Sequence, residues 1–114
     1  MTEYQPDKLT FNDFQHLVDE WILNTPAGYF PPLTNMAILA EETGEVARVM
    51  ARRFGSQTPK PGDKATVENL AEELADVIRV CCAIANQTGI NIAEALMAKH
   101  NLICNRDATR HLKK

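Results

Sequence analysis

The chain has 114 residues, of which 45% are hydrophobic and 24% charged, with a net charge of −3 at pH 7. These values describe a single domain spanning 1–114 with room for a modest core, and they exclude a disordered chain. The acidic balance and the lack of a Lys/Arg stripe argue against a nucleic-acid polymer as partner, and no apolar run approaches the ~20 residues that span a membrane.

Aromatic residues make up only 6%, and Ala and Leu are frequent, which favours helices over sheets. Cys81, Cys82 and Cys104 are odd in number and form no CxxC pair. They read as reduced thiols of a cytoplasmic protein. The polar start Met1-Thr2-Glu3-Tyr4-Gln5 has no signal-peptide character.

The first helix is predicted to begin after Thr10, where Thr10 and Asp13 form a capping box and Leu9 staples onto Phe14. Phe11, Phe14, Leu17, Val18, Trp21 and Ile22 recur at helical spacing, with Trp21 read as core. Asn24-Thr25-Pro26-Ala27-Gly28 ends it. A connector over 25–33 carries Tyr29-Phe30 and the stiff Pro31-Pro32 pair. The second helix is predicted over Thr34 to Phe54, with Gly55 as its stop. A loop rich in Pro and Gly leads to a third helix from Thr66 to Thr88, ended by Gly89. Asn91 and Glu94 cap a fourth helix carrying Ile92, Ala95, Leu96, Leu102 and Ile103, and a basic tail is expected from Arg106 onward. No segment alternates with period 2. The expected fold is all-α, a four-helix bundle with helices two and three as an antiparallel hairpin. Apolar residues on more than one face of the third helix predict an oligomer, a homodimer or homotetramer.

Two segments carry chemistry: Glu41-Glu42-Thr43-Gly44-Glu45 and Glu72-Glu73-Leu74-Ala75-Asp76. Glu42/Glu45 and Glu73/Asp76 are i,i+3 pairs, each on one helix face. Antiparallel packing would bring both pairs to one point at the edge of the core. Four converging carboxylates repel one another, and burial adds to the cost. A hard divalent cation such as Mg2+, which takes oxygen ligands and shares them with phosphates, removes that conflict. Ala40, Gly44, Ala47, Ala71 and Ala75 predict a close helix approach here, with Gly44 leaving room for metal or substrate. The bland alternative is a solvated acidic face on a non-catalytic helical interaction module. A di-iron bundle fits less well, because neither pair is the Glu-x-x-His such sites use.

The arrangement Glu41-Glu42-x-x-Glu45, a 27-residue spacer, then Glu73-x-x-Asp76 resembles the MazG-like nucleotide pyrophosphohydrolases of the all-α NTP pyrophosphatase superfamily. Tyr29-Phe30-x-Pro32-Leu33 and Asn105-Arg106-Asp107 with Arg110 resemble one bacterial branch of it. The resemblance covers roughly residues 10–110. It implies Mg2+-dependent cleavage of a nucleoside triphosphate between the α- and β-phosphates, with Mn2+ able to substitute. The resemblance further implies dNTPs or non-standard NTPs as substrates, the monophosphate and pyrophosphate as products, and a housecleaning role. By matching position, Glu42, Glu45, Glu73 and Asp76 would be metal ligands. Glu41 would bind a further ion or orient the attacking water, or is a plain surface Glu. Lys99, Asn105 and Arg106 would contact the triphosphate, or are ordinary cations and polar groups at a helix end. Tyr29 in the connector would contact the base. The chain departs from the branch at Leu102 and Cys104, where a Lys and an Asn are expected.

Overall fold

A computed structural model describes residues 4–55, 57–58, 60–62, 65–108 and 110. The last four residues of the expected basic tail lie outside the described residues. Four helices follow one another: α1 (Phe11–Leu23), α2 (Pro32–Phe54), α3 (Val67–Thr88) and α4 (Ile92–Asp107), preceded by a 3-10 turn over Pro6–Lys8. There is no strand among the described residues. None of the helices is long and apolar enough to cross a membrane.

Local chemistry sets most helix ends. The backbone N–H of Asp13 donates to Thr10 Oγ1 at 3.0 Å, and the N–H of Thr10 donates to Asp13 Oδ2 at 3.1 Å. That reciprocal pair is the predicted capping box. Thr66 and Asn91 cap α3 and α4 in the same sense, accepting from the N–H of Asn69 and Glu94. Gly89 closes α3 with φ +72°, the left-handed conformation that favours glycine. Gly55 stops α2 differently. Its backbone is extended, and a Cβ there would lie 2.5 Å from the Ala51 carbonyl oxygen, so the helix end tolerates no side chain.

Two boundaries differ from expectation. Helix α2 starts at Pro32, two residues early, because a proline in the first turn has no N–H to leave unpaired and its fixed φ already suits the helix. Helix α4 runs through Asp107, so Arg106 is helical rather than the start of a tail.

Helices α2 and α3 pack most extensively, α1 lies on α3, and α4 leans on α1. The cross-links between α2 and α3 show that they run antiparallel, since Arg48 meets Asn69 and Asn35 meets Gln87. The turn from α3 into α4 is clamped from α1. The Gln15 side chain donates to Asn86 Oδ1 and to the Ile90 carbonyl, and accepts from the N–H of Ile92.

The core is thin. Val18, Cys82 and Ala83 form it, with Phe14, Ile22 and Tyr29 packed around, and Val49 is buried further along α2. Trp21, expected in the core, is 45% exposed, and Met97 and Leu102 of α4 are more exposed still. No α4 residue is fully buried. The radius of gyration is 17.4 Å, against about 13 Å for a compact chain near this length. The apolar stripes are therefore wider than the chain itself covers.

Candidate metal centre

Antiparallel packing of α2 on α3 sets Glu42 opposite Glu73 and Asp76. One carboxylate oxygen from each lies within 4.8 Å of the others. Glu42 and Glu73 are half-buried and Asp76 is exposed. Burial, then the charges of Asp76, Glu73, Glu45 and Glu41, push the Glu42 carboxyl above the usual carboxylate range. The donor set suits a hard cation. Three carboxylates that repel each other supply oxygen ligands at one point, and octahedral Mg2+ at about 2.1 Å per oxygen spans about 4.2 Å between opposite ligands. Neighbouring ligands of such an ion lie about 3.0 Å apart, so the three carboxylates would close in on a cation by side-chain rotation.

Glu45 stands apart from the three. Its Oε2 accepts from Arg48 Nε at 2.9 Å on the same helix. The Arg48 guanidinium also reaches Asn69 Oδ1 at 3.5 Å, and Asn69 Nδ2 lies 3.4 Å from Glu73 Oε1. A polar bridge thus crosses from one acid pair to the other. Arg48 and the buried Asn69 were not singled out from the sequence. The i,i+3 spacing of Glu45 and Arg48 was the available signal; the contact with Asn69 had none.

The small residues do not serve as expected. Ala40, Gly44, Ala47, Ala71 and Ala75 are exposed, and a Cβ at Gly44 would meet nothing within 4 Å. Gly44 faces open space beside the acids and does not hold the helices together.

The other candidate residues are distributed around the bundle. Glu41 is exposed beside Glu42. Tyr29 packs on the core, and its hydroxyl donates to Asp19 Oδ1 at 2.6 Å. Burial and the Asp19 carboxylate raise its pKa to about 12. Its ring lines a cavity of about 290 Å3, along with Trp21, Ile38, Arg79 and Val80. Ile38 precedes Glu42 by one helical turn and Val80 follows Asp76 by one, so the cavity lies a turn along α2 and α3 from the acids, none of which lines it. Lys99 and Asn105 are exposed on α4. Arg106 is engaged by Asp107, at 3.0 and 3.3 Å, and Arg110 joins the same carboxylate at 3.3 Å. These contacts, that of Arg106 first, hold the Asp107 carboxyl below its ordinary range.

Facing carboxylates on an antiparallel helix pair define an all-helical protein with an acidic cluster that could hold a metal ion. Residues 30–111 match the model of the MazG nucleotide pyrophosphohydrolase domain, and the chain belongs to that family of enzymes. It is 40% identical over 103 residues to YpjD of Bacillus subtilis (strain 168), covering 89% of this chain and 86% of that protein. The crystal structure of a Bacillus-conserved MazG protein, described as a nucleotide pyrophosphohydrolase, superposes with a TM-score of 0.69 at 33% identity. That match covers 95% of this chain and 99% of the other. A crystal structure of YPJD from Bacillus subtilis gives a TM-score of 0.70 at 33% identity, over 93% and 97% of the two chains.

Proposed function

We propose that this protein, acting as one domain over 1–114, hydrolyses dNTPs or non-standard NTPs to the monophosphate and pyrophosphate in the cytoplasm, as a housecleaning activity. Glu42, Glu73 and Asp76 hold Mg2+, with Mn2+ able to replace it. Glu45, now paired with Arg48, would complete the set. The observation that carries this reading is the convergence of three carboxylates from two helices, with Glu42 held above its usual pKa by burial and then by the neighbouring acids.

A cation held by these acids would neutralise triphosphate charge and make a water more acidic. The chain's own groups do the rest. The exposed Glu41 orients the attacking water and accepts its proton. Oxygen from that water joins the α-phosphorus, the α–β anhydride bond breaks, and pyrophosphate leaves. The cavity a turn along from the acids takes the base, with the ring of Tyr29 on one wall. Its hydroxyl, committed to Asp19, is not part of the contact. Helix α4 brings Lys99, Asn105 and Arg106 to the triphosphate across a contact between copies of the chain. Its exposed apolar side chains and the extended shape of the protomer support a homodimer or homotetramer.

A dNTP panel with Mg2+ in 18O-labelled water tests the reading. The expected result is monophosphate carrying the label and unlabelled pyrophosphate. No turnover across the panel, beside an active control enzyme, refutes it. A non-catalytic helical module would also show no thermal stabilisation by Mg2+ and nucleotide.

A further inference from the structure

We propose that Arg79 is a specificity-determining residue that reads the substrate's base and selects one with two adjacent hydrogen-bond acceptors on its edge, guanine being the best match. This rests on the proposed pyrophosphohydrolase reading and on the base entering the cavity a turn along from the acids.

The cavity is walled by apolar side chains, among them Val18, Ile22, Ile38 and Val80. Three of its polar side chains donate elsewhere, which leaves the Trp21 indole N–H and the Arg79 guanidinium as its side-chain donors without a hydrogen-bond partner among the described residues. The Tyr29 hydroxyl donates to Asp19, the Asn35 amide to Gln87 Oε1, and the Thr25 hydroxyl to the Ile22 carbonyl. The Arg79 guanidinium makes no hydrogen bond or ion pair among the described residues. It lies over the Trp21 ring, 4.7 Å from the centroid. Stacking on an aromatic face holds the planar fork while leaving its N–H edge available. A half-buried fork of donors in an otherwise apolar hollow suits a flat heterocycle that offers acceptors. Guanine presents O6 and N7 side by side and takes Arg bidentately. Adenine puts an amino donor beside N7, and Arg has no acceptor to meet it. A phosphate contact would need only the positive charge, which Lys also supplies.

The test uses the full chain with Mg2+ and the non-cleavable α,β-imido analogues of dGTP and dATP. Binding is followed through Trp21, the only tryptophan in the chain, and read as the titration midpoint. The wild type is expected to bind the guanine analogue about tenfold more tightly. Arg79→Met should lose that preference while leaving the adenine analogue within about twofold, and Arg79→Lys should not restore it. Circular dichroism checks that both variants fold, with Arg79→Gln as a third. No base preference in the wild type, an equal loss for both analogues, or rescue by Lys overturns the proposal. Base-selective binding without cleavage of any dNTP would sink the hydrolase reading but not this one. Cleavage with base-blind binding would do the reverse.

Discussion

Glu42→Gln should make the metal-free protein more stable while removing its activity. The ligand oxygen of Glu42 lies within 4.8 Å of those of Glu73 and Asp76. At that distance two unit charges repel by about 0.9 kcal/mol in a water-like dielectric. That limit is the appropriate one, because Asp76 is exposed. Glutamine keeps the size of the side chain and removes both repulsions, a gain of about 1–2 kcal/mol once screening is allowed for. For a chain of this length that raises Tm by about 4–8 °C. The wild type should gain about 2.7 kcal/mol from Mg2+ at a hundredfold excess over its Kd, and the variant should lose most of that gain together with turnover. Calorimetry at fixed protein concentration, in EDTA and then in excess Mg2+, reads both effects. A variant that melts below the wild type in EDTA and keeps the full Mg2+ shift would refute the idea that these acids form one strained centre.

Other outcomes follow from the same contacts. The raised pKa of Glu42 means that the folded state holds its proton more tightly than the unfolded one. Metal-free stability should therefore fall as pH rises from the ordinary carboxylate value through the raised one, and Mg2+ should flatten that slope in a series of melts. The Tyr29 phenol, raised from 10.0 to about 12, likewise contributes stability that is whole below pH 10 and lost between pH 10 and 12, which alkaline melts can follow. Tyr29→Phe removes the hydrogen bond to Asp19 and should cost about 1–2 kcal/mol in urea unfolding with little change in KM, whereas Tyr29→Ala should raise KM. Light scattering at micromolar concentration should show a dimer or tetramer; a monomer would contradict the reading of the exposed α4 face.

Helix ends whose cause is local were legible in the sequence. Thr10 with Asp13, Thr66, Asn91 and Gly89 each satisfy or release backbone groups within a few residues, so residue type alone announces them. The start of α2 was missed because Pro31-Pro32 reads equally well as a stiff connector and as a helix entry. The acid pairs were legible for the same local reason, since i,i+3 spacing places two carboxylates on one face wherever the helix goes.

What each face meets was settled only by packing. The antiparallel register of α2 on α3 brings Glu42 to Glu73 and Asp76, while Glu45 turns to Arg48 one turn further along. Gly44, which looked like a point of close approach, faces open space because the register puts its neighbours elsewhere. Arg79 and Trp21 meet across 58 positions of sequence, a contact no spacing rule can foresee. Sequence by itself determined four helices and two acidic pairs, because short-range backbone chemistry and helical periodicity act within a turn or two. Tertiary structure decided which carboxylates converge, and what lines the cavity on the same helix pair, because those depend on how two long helices are set against each other.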